Sequence, residues 1–157
     1  MANLTLEQML KKTGAMARAI ETARRDHVAV GLPSERVGGK IYGDGETVIS
    51  VGASHEFGAG VPRRSFLRLP FAAKSDELEK AIAIQFRDVF IKDKPVKQAL
   101  GLIGVTAVNI SKGAFTTRGY GHWPDLSQAT KDLKGSSQIL IDTGTLRNSI
   151  TYVVRGA

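Results

Sequence analysis

At 157 residues the chain has the length of one domain with room for a real core. It carries no cysteine, which excludes disulfides, thiolate nucleophiles and cysteine zinc sites and fits folding in a reducing compartment. A formal net charge of +7 favours acidic partners, either nucleic acid or acidic protein surfaces. The basic residues are scattered, with only short doublets at Lys11-Lys12, Arg24-Arg25 and Arg63-Arg64, so an electropositive face has to be assembled by folding or by oligomerisation. No apolar run reads as long as a membrane span and no signal-peptide pattern opens the chain, so no membrane partner is expected.

Thr5 and Gln8 have the spacing of a capping box. Leu6, Met9, Leu10, Thr13, Met16, Ala17 and Ile20 then recur at helical spacing, which predicts an amphipathic helix to about Asp26. Lys11, Lys12 and Arg18 lie between the apolar positions, as a solvated face or as a face for a phosphate backbone. His27–Leu32 alternates and reads as a strand that Pro33 ends. Lys40-Ile41-Tyr42 is a candidate short strand before a turn at Gly43-Asp44-Gly45. Thr47–Val51 is rich in β-branched residues and reads as a strand, which makes an antiparallel hairpin or meander, with a helical turn at 53–57.

The stretch from Ser54 to Arg68 is the most informative. Gly58 and Gly60 allow positive φ, and Pro62 fixes its own φ. Phe57, Phe66 and Leu67 are available as apolar anchors. Arg63, Arg64 and Arg68 surround the bend, either pinned within an ordered loop or facing a carboxylate- or phosphate-bearing partner.

Ser75 is a candidate N-cap, with Asp76, Glu77 and Glu79 in the first turn, for a helix over 75–92. Pro95 suits the first position of a third helix, expected to run to about Lys112. Gly101 and Gly104 would leave that helix one flat side for close approach. The short link predicts a helical hairpin. From Gly113 to Ser137 periodicity fades into a long loop, with a helical turn near 127–132 and a Trp that must dock somewhere. Asp142 or Thr143 can cap a helical turn through Arg147 or Asn148. Ile150–Val154 is a strand, expected beside the one at Val48. The fold class is therefore α+β: a single domain over 1–157, with a small antiparallel sheet, an N-terminal helix, a central pair of helices and long ordered loops.

No catalytic constellation emerges. His55-Glu56 lacks the second histidine of a zinc protease, Gly119-Tyr-Gly121 lacks the rest of a dinucleotide fingerprint, and neither a Walker motif nor a Gly-x-Ser-x-Gly elbow is present. His27, His55 and His122 are far apart in sequence. No metal and no cofactor is expected.

Three blocks together resemble a known family. They are His55-Glu56-Phe57-Gly58; Pro62-Arg63-Arg64-Ser65-Phe66-Leu67-Arg68; and Trp123-Pro124-Asp125-Leu126-Ser127 with Thr130, Lys134 and Ile139-Leu140-Ile141-Asp142-Thr143-Gly144-Thr145-Leu146-Arg147-Asn148-Ser149-Ile150. In order and spacing they are similar to the virion-morphogenesis, or tail-completion, proteins of tailed bacteriophages. The resemblance runs from about residue 50 to the end. It implies a non-enzymatic virion protein, assembled in the host cytoplasm, that completes the tail and joins it to the head at the neck. It also implies a homo-oligomeric ring, commonly of six copies, around the DNA channel. Tail-terminator and head-side connector proteins would then be its neighbours, and contact with the genome would be non-specific. On this resemblance Phe57 and Phe66 read as anchors, Gly58 and Gly144 as backbone switches and Asp142 as a cap. His55, Glu56, Pro62, Trp123, Thr143 and Leu146 complete the structural motif. Arg63, Arg64, Arg68, Lys11, Lys12 and Arg18 are candidates to face a partner or the channel. A tail terminator or connector ring, a free-standing basic nucleic-acid-binding module, and a small hydrolase using His55, Glu56 or His122 are the alternatives.

Overall fold

The computed structural model describes residues 5–43, 45–134 (133 and 134 as backbone), 139–140 and 144–156. Thr5 opens helix α1 (Leu6–Arg25). Its hydroxyl accepts from the Gln8 backbone nitrogen while the Gln8 side chain accepts from Thr5, the reciprocal box that its spacing predicts. Strand β1 (His27–Gly31) follows and pairs antiparallel with the final strand β2 (Thr151–Arg155), in a register from His27 with Arg155 to Gly31 with Thr151. The beginning and end of the chain thus close on one two-stranded sheet.

That sheet lies on the longest helix. The chain runs through α2 (Ser34–Val37), α3 (Val48–Phe57), α4 (Arg68–Ala73), α5 (Ser75–Lys92) and α6 (Val96–Thr116), then α7 (Gln128–Lys134) and α8 (Thr145–Ser149). Helices α5 and α6 form the expected hairpin, turned at Asp93 with φ +53°. The flat side of α6 receives the sheet: a Cβ at Gly104 would fall 2.6 Å from the Tyr152 ring and 3.0 Å from Val28 Cγ2. By length and composition α6 could cross a bilayer. Its interspersed Gly, Thr, Ser and Asn hide that in the sequence, and in this fold it is the central core helix, with Ala99, Leu100, Ile103, Ala107, Ile110, Ala114 and Phe115 all buried.

Among the described residues two clusters make the core. One joins Val48, Phe66, Phe115, Trp123, Ile139, Leu146 and Ile150. The other joins Val89, Val96, Ala99 and Leu100, and α1 reaches it through Ala19 and Ala23. The class is α+β, as the sequence predicts.

Several expectations are corrected. Thr47–Val51 is not a strand: Thr47 caps α3 by accepting from Ser50 N at 3.0 Å, and Val48, Gly52 and Glu56 form a buried line at i, i+4, i+8. The expected hairpin shrinks to one bridge between Ile41 and Thr47, with the short helix α2 before it. β2 therefore pairs with β1, not with a strand at Val48. Ser75 is the first helical residue rather than the cap, because α4 runs almost directly into α5 through Lys74. Pro95 stands one place outside α6, and α6 continues past Lys112 to Thr116. Asp142 and Thr143 lie outside the described residues. The cap position of α8 is Gly144, at φ +74°.

Candidate functional site

The turn-rich stretch after α3 is built around one carboxylate. Gly58 ends α3 at φ +80°, its N–H donating to Ser54 O at 2.8 Å, and Gly60 follows at φ +73°. These left-handed residues reverse the chain, so that Arg64 N donates to His55 O at 2.8 Å. A Cβ at Gly58 would lie 2.9 Å from Arg63 Cβ, so the reversal also requires a missing side chain.

Glu56, on the last turn of α3, is buried. Its carboxylate accepts from Ser65 Oγ at 2.7 Å, Phe66 N at 2.8 Å, Leu67 N at 3.0 Å, and Arg68 N and Nε at 3.2 and 3.1 Å. The backbone N–H groups that open α4 therefore point at a fixed anion, as helix N-termini favour. Burial pushes the Glu56 carboxyl up, but the hydrogen bonds from Ser65, Leu67 and Arg68 outweigh it and hold it below the usual range.

The third block of the resemblance binds the same loop. Trp123 Nε1 donates to Ser65 O at 2.9 Å, and its ring stands edge-on to Phe115, 5.5 Å between centroids. Phe66 also packs on Phe115, with ring centroids 5.7 Å apart and the rings tilted by 53°. The Arg64 guanidinium donates through Nε to Pro124 O and through Nη2 to Asp125 O, both at 3.2 Å. Sequence reasoning missed Ser111. It sits fully buried in the apolar register of α6 and donates to Phe66 O at 2.6 Å, and a serine among Ala107, Ile110 and Ala114 was the available signal.

The predicted site residues therefore separate. Arg64, 5% exposed, is an internal strut between the loop and residues 124–125. Arg68 is tied to Glu56 and lies over the Phe57 ring, 4.7 Å from its centroid. Phe66, 1% exposed, is an anchor; Phe57, 65% exposed, is not, because it follows Glu56 on the outer side of the last turn. Leu146 joins the core, and Pro62 is exposed. Arg63 is exposed without an ion pair among the described residues, as are Lys11, Lys12 and Arg18 on α1. Helix α1 docks on α5 and α6, while Arg63 belongs to the loop behind α3.

Beside the loop opens a cavity of about 750 Å³, bordered by Tyr42, His55, Pro62, Arg64, Leu126 and Leu146. His55 Nδ1 is buried there without a hydrogen bond among the described residues. Burial, then the Arg64 charge, pulls the imidazole pKa below its usual value. The nearby Asp125 carboxylate is occupied by Lys131 Nζ and Leu126 N, each at 2.8 Å. With Glu56 saturated and Asp125 engaged, neither carboxylate is free to partner His55 in acid–base chemistry. Among the described residues no group of three or more His, Asp or Glu side chains gathers to hold a metal ion. No family model, curated protein or solved structure matches the chain.

Proposed function

We propose that this chain is a structural virion protein of a tailed phage, completing the tail and joining it to the head as part of a ring around the DNA channel. The observation that carries this reading is the convergence of the resemblance blocks. Residues separated by up to 61 positions in sequence meet at one place: Glu56 holds Ser65–Arg68, and Trp123 and Arg64 tie that loop to 123–125. Blocks of this kind serve shape. The polar groups of Glu56, Ser65 and Trp123, and Nε and Nη2 of Arg64, are taken up by internal hydrogen bonds, which is what an assembly protein needs from a rigid loop. The experiment is to purify phage particles and label the neck with antibody against this protein. A stoichiometric band in the particles and label between head and tail are expected. A protein found only in the lysate, never in particles, contradicts the reading.

The second reading, a free-standing nucleic-acid-binding module, is favoured by Lys11, Lys12, Arg18 and Arg63, exposed and without an ion pair among the described residues, together with the net charge of +7. It requires salt-dependent retardation of duplex DNA by the isolated chain, with slope set by the number of phosphates neutralised. No retardation at low salt removes it.

A further inference from the structure

Arg64 is a buried cation without a matching anion. Its guanidinium donates through Nε to Pro124 O and through Nη2 to Asp125 O, both of them neutral carbonyls. Among the described residues it forms no ion pair, and Nη1 makes no hydrogen bond. The nearby carboxylates are already taken: Glu56 by Arg68 and the loop, Asp125 by Lys131 Nζ and Leu126 N. Two carbonyls position a guanidinium but leave its charge uncompensated, which is costly in a protein interior until an anion joins it. Burial pulls the Arg64 pKa down, and the Asp125 charge opposes it.

The same side chain lines the cavity of about 750 Å³, whose other walls are largely apolar, with Val51, Val61, Leu126 and Leu146 among them. That volume lies within the roughly 300–1,000 Å³ of small-ligand sites, which share its plan of apolar walls and a few convergent polar groups. His55 lines it too, and its Nδ1 has no hydrogen bond among the described residues. No internal bond fixes that nitrogen, so a turn of the ring offers a guest a second donor. Asp125 also borders the opening, with its charge matched by Lys131 at 2.8 Å. These features select a guest. It carries an anionic group that a guanidinium edge can fork, which a planar carboxylate does best. The rest of it is apolar, because the walls gain only from burying apolar surface. Duplex DNA does not fit, since its backbone is bound by exposed cations, and Arg64 can be reached only by a group that enters the cavity.

We propose that this cavity binds a small organic acid, one carboxylate on an apolar body, with the carboxylate on Arg64 and His55 and the body against Val51, Val61, Leu126 and Leu146. The site belongs to the isolated chain and does not rest on a place in a phage particle.

NMR titration of the isotope-labelled full chain with octanoate, and with octanol as its uncharged match, tests it. Octanoate is expected to bind at least about tenfold more tightly than octanol, and it alone should shift the Arg64 Nε and His55 ring resonances. Arg64→Gln should abolish the preference for the acid. Because Arg64 also supports the loop, Val51→Phe is the second variant. It leaves the hydrogen bonds of Arg64 in place, narrows the cavity and should weaken octanoate at least about tenfold. Equal affinity for acid and alcohol would reduce the cavity to an apolar hole and overturn the proposal. So would no binding of octanoate at millimolar concentration, octanoate binding that Val51→Phe leaves unchanged, or displacement of octanoate by inorganic phosphate, which marks a surface-charge contact. A folded Arg64→Gln chain that still prefers the acid overturns it as well.

Discussion

Glu56 Oε2 lies 2.8 Å from the backbone nitrogen of Phe66, so a buried carboxylate holds the start of the loop that carries the main aromatic anchor. The same carboxylate reaches Ser65, Leu67 and Arg68. Glu56→Ala would leave those backbone donors buried without an acceptor and is expected to cost about 3–5 kcal/mol, as breaking buried charged pairs does. Glu56→Gln keeps the shape and one acceptor oxygen and should cost less, about 1–3 kcal/mol. Urea unfolding of both variants checks the order.

The two glycines of α6 should behave oppositely. At Gly104 an added Cβ meets the Tyr152 ring at 2.6 Å, so Gly104→Ala is expected to destabilise by about 1–3 kcal/mol despite better helix propensity. At Gly101 the nearest atom is Tyr152 Oη at 3.6 Å, an ordinary contact. Gly101→Ala should stabilise by up to about 1 kcal/mol. Thermal melts of the pair decide whether the sheet rests on α6 at Gly104.

Stability should fall in acid in two stages. Burial holds His55 below its ordinary value of 6.5, so the unfolded chain takes up that proton first, and stability present above pH 6.5 declines as the pH drops below it. Glu56 acts with the same sign. Burial raises its pKa, the hydrogen bonds lower it further, and its contribution fades as the pH falls below 4.5. Unfolding free energies between pH 8 and 3 should show both stages, and His55→Gln should flatten only the first.

Trp123 is the sole tryptophan, so its fluorescence reports on one loop. Its burial predicts a blue-shifted emission that moves to the red together with the loss of helical circular dichroism. Trp123→Phe keeps an aromatic ring against Phe115 but leaves Ser65 O without its donor, and should cost about 1–3 kcal/mol.

The parts of the fold that were legible in the sequence are those written in apolar periodicity: α1, β1, α5, α6 and β2. Helix α3 was not, because its buried line is Val48, Gly52 and Glu56, and only the first of these registers as apolar. The β-branched Val48, Ile49 and Val51 imitate a strand, while the Thr47 cap decides for a helix. Arg64 and Phe57 exchanged their expected places because burial there depends on the bend at Gly58 and Gly60, and on carbonyls sixty residues away that only the tertiary fold supplies. The α1 stripe was legible as a stripe, but its outward direction was not, because it is Ala19 and Ala23 on the other side that pack on the core.

The assignment to the phage neck is tested most directly by electron microscopy of a lysate from a phage or prophage deleted for this gene. The account predicts filled heads beside separate tails, with joining restored by the wild-type gene supplied in trans. Normal joined, infectious particles from the deletion would contradict it.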